Sequence, residues 1–91
     1  MTTSTEIALV TGASSGIGRA TAQLLAVHGF HVLAGVRAAV DAKKMAAERI
    51  EPVVLDVTDD SHIAAVARRI ADDPAGRPLR ALVNNGGIAI N

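Results

Sequence analysis

The sequence predicts an α/β fold, a doubly wound parallel sheet of four strands in the order 3-2-1-4. Two observations carry that reading. Short apolar runs at Ile7–Val10, His31–Val36, Val53–Leu55 and Ala81–Val83 alternate with helix-forming segments, and this β-α-β-α-β-α-β rhythm requires parallel strands joined by crossover helices. The first run also feeds a glycine-rich turn, Thr11-Gly12-Ala13-Ser14-Ser15-Gly16-Ile17-Gly18, which opens directly into the first helical segment.

The elements can be justified in order. Ile7-Ala8-Leu9-Val10 is apolar throughout, as a strand covered on both faces should be. In the first helix Ile17, Ala20, Thr21, Leu24, Leu25 and His28 form one stripe at helical spacing, expected to face the sheet, and Gly29 supplies the stop. The second helix, Val40 to Arg49, has propensity from Ala, Lys and Glu, but only Val40, Met45 and Ala46 to bury. The third carries Ile63, Val66, Ala67 and Ile70 on one face, with Thr58 as the expected N-cap and Asp59 and Asp60 where acids complement the helix dipole. Asp72-Asp73-Pro74-Ala75-Gly76-Arg77-Pro78 reads as a solvated surface loop. Right-handed crossovers then place the first two helices on one face of the sheet and the third on the other. The fourth strand, carrying Leu82 and Val83, becomes an apolar edge that invites self-association.

Composition narrows the function. The 91 residues form one small domain with no second, and although 49% are apolar, eighteen are Ala, so the core must come from Val, Ile and Leu. A net charge of zero gives no electrostatic basis for binding nucleic acid or an anionic membrane. There is no cysteine, hence no disulfide framework or thiol chemistry. The start Met-Thr-Thr-Ser-Thr-Glu lacks the basic and apolar regions of a signal peptide, and no apolar run approaches the roughly 18 residues of a membrane span. A cytoplasmic protein is the expectation. His28, His31 and His62 have no ligand spacing, so no metal site is expected, and the pairs Asp59-Asp60 and Asp72-Asp73 are read as helix capping and solvated loop rather than as paired catalytic carboxylates.

The glycine turn carries the chemistry. A strand, a glycine-rich turn and a helix N-terminus aim unpaired backbone N–H groups and the positive end of a helix dipole at one point, where a pyrophosphate can sit. Gly12, Gly16 and Gly18 serve a tight exit from the strand, close approach of backbone to phosphate and close packing of helix on sheet, while Ser14 and Ser15 add hydroxyl donors. Gly18 is followed by Arg19 rather than by Lys and a hydroxyl residue, which excludes an ATP-binding P-loop.

Thr11-Gly12-x-x-x-Gly16-x-Gly18, then Asp56-Val57, then Asn84-Asn85-Gly86-Gly87 occur in an order and at a spacing that resemble the short-chain dehydrogenase/reductase family over nearly the whole chain. The resemblance implies a Rossmann-type cofactor domain and NAD(P)-dependent oxidation or reduction of alcohol and carbonyl groups. By the same resemblance Gly12, Ser14, Ser15, Gly16, Ile17 and Gly18 cradle the pyrophosphate, Asp56 with Val57 meets the adenine ring, and Asn84 lines the crevice beside the nicotinamide ribose. Gly86 stands where the family has Ala, which adds backbone freedom and leaves the assignment of Asn84 intact. A strand-end turn that satisfies backbone groups is the plainer alternative for Asn84 and Asn85. The family's catalytic Tyr, Lys, Ser and Asn come from segments beyond the fourth strand, and the chain has no Tyr. No catalytic residue is therefore assigned, and the chain alone is expected to be inactive.

Charge selects the cofactor. NAD-binding sites place an acid about 20 residues past the glycines to bond the ribose 2′-OH, whereas NADP needs a cation for its 2′-phosphate. This chain has no acid between Glu6 and Asp41; Gly35 takes the expected acid position, and Arg37 follows with a fork suited to phosphate oxygens. NADP(H) is favoured over NAD(H), with Arg37 as a solvated strand-end cation the plainer alternative. The chain thus reads as the N-terminal cofactor half of an oxidoreductase, truncated after the fourth strand. A non-catalytic dinucleotide-binding module and a strand-pairing interaction fragment are the alternatives.

Overall fold

The computed structural model describes residues 5–14 and 16–85. Seven elements follow one another: β1 (Ile7–Thr11), α1 (Gly16–Val27), β2 (His31–Val36), α2 (Ala39–Met45), β3 (Ile50–Val54), α3 (Asp60–Ala71) and β4 (Leu79–Asn84). The strands form one parallel sheet in the order β3-β2-β1-β4, with Leu9 level with Leu33 on one side and with Leu82 on the other. Every residue of β1 is buried, as is β2 after His31, which is why both runs lack polar alternation.

Strand alternation divides the core into two layers. Val10, Val32, Ala34 and Val36 meet Ala22 and Ala26 of α1 and Met45 of α2, while Ile7, Leu9 and Leu33 meet Val66 of α3 and Leu55, just after β3. The helices therefore lie two on one face and one on the other, as right-handed crossovers require. Gly29, at φ +98°, ends α1 as expected, its N–H donating to the Ala26 carbonyl and that of Phe30 to Leu25.

Several expectations are corrected. The face that α1 buries is Gly18, Ala22 and Ala26 with half-buried Leu25, whereas Ile17 is 78% exposed and Leu24 58%, and Ala20 and His28 are exposed too. The helix lies so close to the glycine turn that only small residues fit between it and the sheet, so size overrides hydrophobicity. The N-cap of α3 is Asp59, not Thr58: Asp59 Oδ1 accepts from the Ser61 and His62 amides at 2.9 and 3.4 Å. Thr58 instead gives its N–H and hydroxyl to Asp56. β3 begins earlier than read and includes Pro52, which an edge strand tolerates because one side of it needs no donor. α2 stops at Met45, and the chain turns back through a bridge between Ala47 and Ile50 with Arg49 at φ +67°.

The loop after α3 also departs from expectation, because the Asp73 side chain is only 1% exposed. Its two oxygens accept from Arg69 and Arg77 side chains and from the Ala75 and Arg77 amides at 2.7–3.1 Å. Arg69 also donates to both oxygens of Glu51, at 2.6 and 2.8 Å, and Glu51 meets His31 Nε2 at 2.9 Å. This network ties the starts of β2 and β3 to the end of α3, at the end of the strands opposite the glycine turn.

Candidate functional site

In an open parallel sheet, ligands bind beyond the carboxyl ends of the strands where the strand order reverses. Here that point lies between β1 and β4. Thr11 ends β1 with its hydroxyl buried between two partners: it donates to Asn84 Oδ1 at 2.8 Å and accepts from the Asn85 amide at 2.9 Å. One side chain thus clasps the exits of the two strands that flank the crevice.

The glycine turn is built around that clasp. Gly12 has φ +60°, and a side chain on it would strike the Asn85 carbonyl oxygen. Gly18 lies on the other side of the turn, where a Cβ would overlap the Gly12 carbonyl oxygen and come within 3.2 Å of the Ala13 Cα. Gly16, at φ +56°, faces open space, so its requirement for glycine comes from backbone conformation alone. The Ala13 amide fastens the turn to β2 through the Gly35 carbonyl at 2.9 Å. With α1 starting at Gly16, the amides of Gly16, Ile17 and Gly18 belong to the first turn, whose N–H groups have no intrahelical acceptor. Ile17 contributes backbone, since its side chain points to solvent, and Ser14 is half-buried on the turn. Ser15, Gly86 and Gly87 lie outside the described residues.

A second grouping forms at the exits of β2 and β3. Gly35 is inside β2, where a Cβ would come within 3.2 Å of Leu55 Cδ2 and of the Val10 carbonyl oxygen. The position expected to hold the acid is therefore filled by the sheet itself, and the residue that leaves β2 toward the crevice is Arg37, which is exposed. Asp56 follows β3 and Leu55; its Oδ1 accepts the Thr58 amide at 2.9 Å and hydroxyl at 2.7 Å. Those bonds, the hydroxyl first, hold the Asp56 carboxyl below the usual carboxylate range, and the charge of Arg37 adds to them. Val57 beside it is exposed.

The donor chemistry fits an anionic dinucleotide. Besides the helix amides and the Arg37 guanidinium, Asn85 Nδ2 is buried with no hydrogen-bond partner among the described residues, a donor in want of an acceptor. Sequence reasoning passed over Asn85 as a site residue, and over His62, whose Nδ1 accepts the Asp56 amide at 3.0 Å. No group of three or more His, Cys, Asp or Glu side chains among the described residues is arranged to hold a metal ion.

The family model for short chain dehydrogenase matches residues 6–91. The chain belongs to the short-chain dehydrogenase family. Its relatives include mouse retinol dehydrogenase 5, 39% identical over 83 residues that cover 88% of this chain and 26% of that protein. A putative ketoacyl reductase of the monensin polyketide synthase from Streptomyces virginiae is 46% identical, covering 96% of this chain and 35% of its own. The crystal structure of a short-chain dehydrogenase from Streptomyces avermitilis superposes with a TM-score of 0.75 at 36% identity, over 90% of this chain and 30% of that one. This short-chain dehydrogenase chain thus spans about a quarter to a third of the length of these relatives. The family's cofactor is NAD(P), and the four parallel strands in this order match the fold of that solved short-chain dehydrogenase. Among the described residues no helix is long and apolar enough to cross a membrane.

Proposed function

We propose that this chain is the dinucleotide-binding part of a short-chain dehydrogenase acting on alcohol or carbonyl groups, and that it prefers NADP(H) to NAD(H). The observation that carries the proposal is the glycine turn, locked by Thr11 against Asn84 and Asn85 and closed down by Gly18 on Gly12. A bound nicotinamide cofactor would supply the hydride chemistry; the residues of this chain bind and orient it. The amides of Gly16, Ile17 and Gly18, with Gly12 leaving room, hold the pyrophosphate, and the hydroxyls of Ser14 and Ser15 add donors. Asp56 accepts from the adenine amino group while Val57 covers the ring. Asn84, fixed by the Thr11 hydroxyl, sets the ribose on the nicotinamide side. Fixing the cofactor is what lets a hydride travel to one face of a substrate.

Arg37 selects between the cofactors. Charge-assisted bonds from one guanidinium to a 2′-phosphate are worth about 1.5–3 kcal/mol. Replacing Arg37 by Asp is therefore expected to weaken NADPH by roughly tenfold to hundredfold while sparing or improving NADH. Equilibrium titrations of both cofactors against the two proteins check this, and an unchanged preference contradicts it.

The exposed edge supports a second property, self-association through β4. Leu82 is 61% exposed and Leu79 43%, and both line an apolar groove of about 320 Å³ between β4 and α3. Sedimentation velocity is expected to show concentration-dependent association of the chain, abolished by Leu82→Glu. A wild-type chain that stays monomeric at every concentration contradicts this.

A further inference from the structure

We propose that His62 is a positioning residue for the adenine side of the site, and that its neutral imidazole holds the Asp56 turn in the form that binds cofactor. The inference rests on the assignment of Asp56 to cofactor binding made above. The Asp56 backbone amide points at His62 Nδ1, 3.0 Å away. A backbone N–H can only donate, so Nδ1 must carry a lone pair, and turning the ring over would put a carbon in its place. The proton therefore sits on Nε2, which faces Asp59 Oδ2 at 3.5 Å.

This bond closes a short segment at both ends. The Asp56 carboxylate is fixed by Thr58 and its amide by His62, and His62 is itself held in the first turn of α3 by the Asp59 cap. A proton on Nδ1 would set two N–H groups against each other, so the bond would be lost and the ring or the turn would move away. The charged groups around the ring come from each neighbouring element: Asp59 at the cap, Asp56 at the exit of β3, and beyond it Arg37 at the exit of β2, whose charge acts on Asp56. A ring protonated on Nδ1 that turns away from the amide still has the Asp59 and Asp56 carboxylates beside it, which gives the side chain a second resting place. In that second place Asp56 has lost its amide partner, and the turn that presents the carboxylate and Val57 is loosened.

The test is an equilibrium titration of cofactor against the whole chain from about pH 8 to about pH 5, the interval in which histidine side chains change charge. The chain is compared with His62→Asn, whose Oδ1 accepts at the reach of Nδ1 and does not titrate, and with His62→Phe, which cannot accept. Because the 2′-phosphate of NADPH loses charge in the same interval, the titrations are repeated with NADH, and the quantity read is the difference between wild type and His62→Asn. Wild-type affinity is expected to fall several-fold more toward acid than that of His62→Asn with either cofactor. His62→Phe is expected to bind several-fold more weakly at neutral pH, and His62→Asn to restore most of that loss. Equal pH profiles for wild type and His62→Asn, or neutral-pH binding by His62→Phe at the wild-type level, would overturn the proposal. Absence of binding by the wild type would overturn the Asp56 assignment and this proposal with it. Should either variant not fold, nitrogen NMR of the wild-type His62 ring decides: a lone pair on Nδ1 at neutral pH supports the proposal and a proton there refutes it.

Discussion

Gly18→Ala is expected to eliminate NADPH binding and to destabilise the fold by about 3 kcal/mol or more. The added Cβ would overlap the Gly12 carbonyl oxygen, lie 2.8 Å from its carbon and 3.2 Å from the Ala13 Cα. All three are backbone atoms of the turn proposed to cradle the phosphates, so no flexible side chain can give way. Either α1 lifts from the sheet, opening the layer that Ala22 and Ala26 fill, or the turn moves and its amides no longer converge. A domain of this size has in all roughly 5–14 kcal/mol of stability, so the loss is a large fraction of the total. Gly16→Ala is the contrast. At φ +56° with open space around it, it is expected to cost only about 1 kcal/mol. Urea melts of the two variants, each followed by NADPH titration, check the difference, and equal effects would show that close packing at Gly18 does not matter.

Arg69→Met is expected to cost about 3 kcal/mol while leaving cofactor affinity unchanged below the melting temperature. Arg69 bridges Glu51 on β3 and the buried Asp73, so its removal strips hydrogen bonds from both carboxylates at once. The network also makes stability depend on pH. Hydrogen bonds from Arg69 above all, with His31 adding to them, hold Glu51 at about 2 against an ordinary 4.5. Arg77 first, then Arg69, holds Asp73 well below its ordinary 3.8. Because both carboxyls are more acidic folded than unfolded, their contribution is complete above the ordinary values and is lost as pH falls toward about 2. The melting temperature of the wild type should therefore be level from neutral pH to about pH 5 and then decline. The Arg69→Met protein should start lower and decline less. Parallel curves for the two proteins would mean that the network does not hold these carboxyls.

The sheet was legible because β1 and β2 announce burial on both faces and because the glycine turn joins one of them to a helix. The need for glycine at Gly12, Gly16 and Gly18 was legible from their spacing, because it is set by the backbone: positive φ at the first two and close packing at the third. What could not be read depends on distance between side chains. Ile17 and Leu24 look like core residues by hydrophobicity, yet the close approach at Gly18 rotates smaller residues inward. Asp73 looks like a polar loop residue until Arg69, four residues before it, and Arg77, four after, are seen to converge on it. The second strand was legible to its last residue, His31 to Val36, so Arg37 could be placed at its exit from sequence. His62 was weighed only as a metal ligand, since a bond from a backbone amide to an imidazole leaves no mark on composition or periodicity.

The binding of a dinucleotide by this chain is tested most directly by thermal melts of the purified 91-residue protein in rising NADPH and, separately, NADH. A cooperative melt whose midpoint climbs with both cofactors, further with NADPH, is the expected result. A cooperative melt that neither cofactor moves would mean that the glycine turn, though folded and clasped by Thr11, holds no dinucleotide.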